Sequence, residues 1–152
     1  MMRLALDEAA RAAEEGEVPV GAVLVMDRVV LARTHNRREQ TTDPTAHAEL
    51  LAVRAAAARL GSSRLDGATL YTTLEPCPMC AGALWLSRVA HLVFAAHDEK
   101  AGAAGTLYNV VADPRLNHRM AVASGLLAEE SRAMLRSFFA ERRAAGRSLD
   151  GG

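Results

Sequence analysis

The segment His91-Leu92-Val93-Phe94-Ala95-Ala96 constrains this chain most. A strand that is apolar on both of its faces belongs inside a sheet, with helices above and below it. The flanking sequence meets that demand. A helix is predicted over 3–15, with alanines and leucines on one side and acids on the other, stopped by Gly16. Strands follow over 18–26 and 29–33, joined by a tight hairpin at Asp27-Arg28, and 33–42 reads as a polar loop. Asp43-Pro44-Thr45 has the chemistry of a helix start, so a helix is predicted over 46–60, ended by Gly61. A β-branched strand over 68–73, a short helix ending near 87 and the opening strand over 91–96 come next. The segment 97–117 reads as a Gly/Ala-rich loop with one short helix. A fifth strand over 120–124 and a helix over 126–145 close the chain, with Leu127, Met134, Leu135, Phe138 and Phe139 as the helix's buried stripe. The expected fold is α/β: three layers, α/β/α, around a central mixed five-stranded sheet.

At 152 residues the chain is predicted to form one compact unit, residues 1–152, large enough to bury a core without disulfides. Its two cysteines are therefore free for other work. No run approaches the roughly 18 consecutive apolar residues of a membrane span, and the first residues carry acids rather than a signal-peptide core, so a cytoplasmic protein with reduced thiols is expected. The 18 basic and 18 acidic residues cancel, which excludes a global electrostatic attraction to nucleic acid. RNA contact would need a local basic patch.

Cys77 and Cys80 have the CxxC spacing that brings two thiolates to one metal from a helix start, where free N–H groups and the helix dipole favour the thiolate form. Zinc suits two sulfurs and an imidazole. Other readings stand beside this one. The CxxC can be a redox pair. A structural Cys2His2 zinc can draw on His35, His91, His97 or His118, although none is spaced from His47 in the usual way. His47 alone can be a capping or core histidine, and Glu49 alone a solvated helix acid. Together, however, His47-x-Glu49 at one helix start and Pro76-Cys77-x-x-Cys80 at the next, with a strand between, match the known signature of zinc deaminases. Spacing by itself does not put Glu49 over the metal, because residues two apart on a regular helix diverge by roughly 200°.

Beyond these motifs, the chain resembles the bacterial tRNA-specific adenosine deaminases over nearly its whole length. The likeness rests on the stretch Glu17–Val25, on Asp43-Pro44-Thr45-Ala46-His47-Ala48-Glu49, and on Thr73-Leu74-Glu75-Pro76-Cys77-Pro78-Met79-Cys80-Ala81-Gly82-Ala83. Asp98-Glu99-Lys100-Ala101-Gly102-Ala103-Ala104-Gly105-Thr106 is similar to a loop that the tRNA enzymes carry, with Thr106 where serine is usual; Asn117-His118-Arg119 and Phe138-Phe139 are similar too. The resemblance implies a cytidine deaminase-like fold and one Zn2+ per subunit, held by His47, Cys77 and Cys80 with a fourth position for water. It implies Glu49 as the proton carrier and not a metal ligand, and adenosine converted to inosine at the wobble position of an arginine tRNA. Asn36, Leu74, Pro76, Asp98, Lys100 and Asn117 are the implied substrate contacts, the tRNA anticodon stem-loop the implied partner, and a homodimer the implied assembly, with Trp85 in the core or at the subunit contact.

The alternatives are a deaminase of free bases, nucleosides or nucleotides of guanine or cytosine type, and a catalytically silent zinc-stabilised RNA-binding module. An intact Glu49 speaks against the second, since a structural site needs no proton shuttle. Two arginine groups are candidates for RNA phosphate. Arg33, Arg37 and Arg38 flank Asn36, and Arg132, Arg136, Arg142, Arg143 and Arg147 load the last helix. There, Glu129 and Glu130 at the start and arginines at the end also complement the helix dipole.

Overall fold

The computed structural model describes residues 1–146, so Arg147 lies outside the described residues. Helix α1 (Met2–Glu14) leads into the hairpin β1 (Gly21–Met26) and β2 (Val29–His35). A short helix α2 (Arg38–Thr41), helix α3 (Ala48–Leu60), strand β3 (Thr69–Leu74), helix α4 (Pro78–Leu86) and strand β4 (His91–Ala96) follow, then β5 (Ala121–Ser124) and α5 (Ala128–Ala144). The sheet order is β2-β1-β3-β4-β5. β1 is antiparallel to both β2 and β3, whereas β3, β4 and β5 are parallel. This is the expected three-layer α/β arrangement with a mixed five-stranded sheet.

Alternation along the strands divides the core in two. Ala22 and Leu24 of β1 and Leu92 and Phe94 of β4 face α3 and α4, together with Leu70, Ala52, Ala56 and Leu84. Val23 and Ala95 face the other way, onto Met2 and Ala5 of α1. β4 is paired on both sides as its apolar sequence demands, although the middle strand of the sheet is β3. In α5 the closest packing comes from small residues. Ala128 and Ser131 are buried with Phe138, and the Ser131 hydroxyl donates to the Thr73 carbonyl at 2.6 Å, tying the helix to β3. Leu127, Met134, Leu135 and Phe139 are only half-buried.

Several boundaries depend on tertiary contacts. The hairpin lacks glycine, yet Asp27 and Arg28 both take positive φ (50° and 64°), as the favoured two-residue turn requires. Where a loop is predicted from Arg33, β2 continues to His35 and α2 follows, because the buried carboxylate of Glu17 accepts the N–H groups of Glu39 and Gln40 at 3.2 and 2.8 Å. Asp43 does not cap α3. Its Oδ1 accepts from the Thr45 N–H and hydroxyl at 2.8 and 2.7 Å, closing a local turn, and the helix starts two residues later than predicted, after His47. No helix forms between β4 and β5 among the described residues. That stretch crosses over as turns whose Ala103 and Val111 are fully buried against the α3/α4 side.

The approach of α1 to the sheet depends on one glycine. A Cβ at Gly21 would stand 2.0 Å from the Ala5 carbonyl and 2.6 Å from the Ala9 nitrogen, both helix backbone that cannot yield locally. Gly21→Ala should therefore destabilise the fold by about 2–3 kcal/mol, the range of overpacked cores. Urea denaturation checks this, with a lowered midpoint at unchanged slope as the expected result.

Candidate active site

β3 ends at Leu74, and the following Glu75-Pro76 delivers the chain to α4, whose N-cap is Cys77 in extended conformation (φ −72°, ψ 171°) with Pro78 in the first turn. Across the α3/α4 layer, α3 starts from His47, likewise extended (φ −77°, ψ 149°). Two helix N-termini thus meet beside the carboxyl end of β3, where sheets of this kind leave a crevice. His47 Nδ1 lies 3.5 Å from Cys77 Sγ and 3.6 Å from Cys80 Sγ. One donor atom from each of the three residues falls within 4.8 Å of the others. A tetrahedral zinc, with Zn–N about 2.0 Å and Zn–S about 2.3 Å, needs N···S edges of roughly 3.5 Å, so the donor set fits that ion in both chemistry and spacing.

Electrostatics agree. A hydrogen bond from Cys80 holds the Cys77 thiol down to about 4 against the opposing effect of burial, and His47 adds to the lowering. Cys80 is pushed up, first because it donates to Cys77 and then by burial. His47 is raised by its hydrogen bond to Cys77. Glu49 is 4% exposed, and burial raises its carboxyl to about 7. Its Oε2 sits 3.8 Å from Cys80 Sγ. The angular objection to placing Glu49 beside the metal ligands disappears because His47 stands outside the helix. Its extended backbone, not the helical rotation per residue, sets the direction of its side chain.

The other predicted contacts divide. Asn36 is buried at the end of β2, where its Oδ1 accepts the Ala48 N–H at 2.9 Å and its amide donates to the Val18 carbonyl at 3.2 Å. It thereby satisfies a free N–H at the start of α3, and its second amide hydrogen has no partner among those bonds. Leu74 ends β3 and Pro76 directly precedes Cys77, with the Pro76 carbonyl accepting the Ala103 N–H at 2.8 Å. Asp98 and Lys100 follow the carboxyl end of β4 and so lie at the same end of the sheet as the metal ligands. Asn117 is not brought there. It accepts from Arg88 at 3.0 Å, and the adjacent His118 bonds the Val89 carbonyl at 2.7 Å, at the opposite, amino end of β4.

Of the arginines on α5, Arg132 and Arg136 are paired with Glu129. Arg142 packs over the Phe138 ring, 5.0 Å from its centroid, and bonds the Gly16 carbonyl.

Sequence reasoning gave Glu75 no role. It is 1% exposed, yet four hydrogen bonds converge on its carboxylate. The donors are the N–H of Asp98 (3.1 Å), of Ala104 (3.0 Å) and of Thr106 (3.1 Å), and the Thr106 hydroxyl, against which His97 Nδ1 lies at 3.1 Å. Burial alone would raise this carboxyl, but these hydrogen bonds outweigh it and the group is held low. The available signal was an acid at a strand end inside a metal motif; its partners, more than twenty residues away, left no local trace.

Fold and site together define a nucleobase deaminase of the cytidine deaminase-like type, with a His/Cys/Cys cluster able to hold a metal and a buried glutamate beside it. Residues 1–143 match the family described as MafB19-like deaminase. The tRNA-specific adenosine deaminase of Bacillus subtilis (strain 168) is 54% identical over 142 residues, covering 93% of this chain and 88% of that protein. The enzyme of the same name from Aquifex aeolicus (strain VF5) is 45% identical, covering 93% of each. Among solved structures, a tRNA:A34 deaminase studied for A-to-I editing at the wobble position superposes with a TM-score of 0.85 at 47% identity, over 88% of this chain and 97% of that one. A guanine deaminase from Nitrosomonas europaea gives 0.73 at 30% identity, over 91% and 82%. The chain belongs to the bacterial tRNA-specific adenosine deaminases.

Metal removal should unmask the asymmetry of the two thiols. In chelator-stripped protein, iodoacetamide should modify the half-exposed Cys77 ahead of the buried Cys80. Because Cys77 titrates at about 4, its rate should be nearly flat between pH 8 and 6. An ordinary thiol with a pKa of about 8.5 would slow by almost a hundredfold over that interval. Peptide mapping reads the site, and restored zinc should protect both cysteines.

Proposed function

We infer that this chain deaminates adenosine to inosine in tRNA by hydrolysis, at the wobble position of the anticodon of an arginine tRNA. The observation that carries the reading is the buried Glu49 carboxyl, poised at about 7 and 3.8 Å from a sulfur of the His47/Cys77/Cys80 cluster. A carboxyl tuned near neutrality can both take and return a proton, which structural metal sites do not need. The relatives and the A34 deaminase structure support adenosine in tRNA as the substrate.

His47, Cys77 and Cys80 would hold one zinc ion per subunit. Bound there, zinc supplies Lewis acidity that brings water into the titration range of neutral pH. Glu49 takes a proton from the attacking water and passes it to ring N1 as the water oxygen bonds to C6. Glu49 then takes the remaining proton from the new C6 hydroxyl and delivers it to the amino group; the C6–N bond breaks, ammonia leaves, and the C6 carbonyl of inosine forms. The target base must leave its stack to reach this depth. Asn36 has an amide hydrogen to offer the base or its ribose, Leu74 and Pro76 supply the apolar wall, and Asp98 and Lys100 meet the flanking sugar-phosphate. The position of Asn117 supports no contact at this subunit's own site.

A cleft of about 500 Å³ along the outer edge of β2 is lined by Arg11, Arg33, Arg37 and Arg54 together with Glu8 and Asp43; Arg11 and Arg33 pair with Glu8, which leaves Arg37 and Arg54 as its phosphate candidates. It favours the Arg33–Arg38 region for contacts to RNA phosphate. The same reading includes a homodimer and action in the cytoplasm. On α4 the buried Trp85 indole N–H has no hydrogen-bond partner and Leu86 is 68% exposed, which suits a second subunit at that helix end. Among the described residues, no helix is long and apolar enough to cross a membrane.

Incubation with tRNA carrying adenosine at the wobble position, and with free adenosine, cytosine and guanine in parallel, decides between the readings. Inosine in tRNA alone is expected; deamination of a free base would support a nucleobase enzyme, and silence everywhere with zinc bound a binding module. Glu49→Ala should keep one equivalent of zinc and lose at least about 10³-fold in turnover. Activity in that metal-loaded variant would end the proposed proton shuttle. The kcat/KM on tRNA should fall steeply with salt, and Arg37→Ala or Arg54→Ala should each flatten the log–log salt slope by about one.

A further inference from the structure

The loop that follows β4 has almost no core of its own. Among residues 97–109 only Gly102 and Ala103 are buried, while Glu99, Lys100, Gly105, Leu107, Tyr108 and Asn109 are exposed. Its shape is nevertheless closely specified. Gly102 donates to the Asp98 carbonyl at 2.9 Å, Leu107 to the Gly102 carbonyl at 3.0 Å, and Ala104 bridges to Asn109. These bonds close the loop on itself, but do not fix it to the rest of the protein. Two attachments do so beside the metal ligands: the Ala103 N–H on the Pro76 carbonyl, and the converging donors on Glu75.

Glu75 is the stronger of the two. One carboxylate oxygen takes the Asp98 N–H and the Thr106 hydroxyl, and the other takes the Ala104 and Thr106 N–H groups. Two hydrogen bonds on each oxygen engage the whole carboxylate with the loop. The loop backbone also comes so close that a Cβ at Gly102 would sit 2.5 Å from the Glu75 carboxylate.

We propose that Glu75 is a positioning residue for RNA recognition. It never touches the substrate, but sets the placement of Asp98 and Lys100 beside the metal centre and so governs how tightly the nucleotides flanking the target base are held. The inference rests on the tRNA reading above and adds to it the group that orders the recognition loop. Substrate affinity, rather than the chemical step, should carry its effect.

The test compares wild type, Glu75→Gln and Gly102→Ala in their zinc-loaded forms, on tRNA carrying adenosine at the wobble position. Glutamine keeps the volume but turns an amide donor toward donors, whereas the Gly102 change lifts the loop from an intact carboxylate. Loss of buried charge-assisted hydrogen bonds should raise KM by about tenfold or more in both variants. Zinc content should stay unchanged and kcat should hold within about twofold at saturating tRNA. The amides of Asp98, Ala104 and Thr106 should lose hydrogen-exchange protection in both, a readout tied to the loop itself. An unchanged KM, or a fall in kcat or zinc content with KM intact, overturns the assignment; should Glu75→Gln fail to fold, Gly102→Ala decides by the same criteria. Wild type without activity on tRNA would instead overturn the tRNA reading, and the positioning role with it.

Discussion

Two helices aim their amino ends at one point beside β3, and much of the site's architecture depends on what that arrangement requires. Each helix start exposes unsatisfied N–H groups and a partial positive charge. Here the N-cap positions of α3 and α4 carry His47 and Cys77, whose extended backbones turn their side chains inward. The field favours a thiolate at Cys77, and the thiolate favours a protonated partner at Cys80 or a metal ion. Asn36 completes the start of α3 from across the chain. A hydrogen bond at the end of an edge strand and the geometry of the metal ligands are therefore linked.

Buried carboxylates do comparable work further out. Glu17 seats α2 by accepting two of its N–H groups, and Glu75 seats the loop after β4. In each case an anion has been taken from water and surrounded by backbone donors, which is favourable only when the bonds are complete. Such anchors let irregular segments lie beside a reactive centre without an apolar core beneath them. Glu49 differs. Buried with few donors, its carboxyl is raised to about 7, which suits a group that must exchange a proton. Environment alone distinguishes these three acids.

Much of this was legible from the chain itself. Apolar runs near the length of a strand, alternating with helical stretches, specify a sheet covered on both faces, because burial pattern is a local property that period reveals. The His/Cys/Cys cluster was legible because metal chemistry restricts residue types and the spacing within each motif. Boundaries fared less well where partners lay elsewhere: Asp43 has the composition of a helix cap, but the helix starts where Asn36 accepts the Ala48 N–H.

What the sequence determined, then, is the chemistry: an imidazole, two thiols and one glutamate at helix starts, in a chain built for a two-sided sheet. Tertiary structure decided the rest. It brought His47 to within 3.5 Å of a sulfur thirty positions away, turned Glu49 inward, gave Glu75 its loop, and carried Asn117 to the far end of β4. The physical reason is that a residue type and its local spacing limit which bonds are possible, whereas burial and distant hydrogen-bond partners select which are made, and those exist only once the strands have paired.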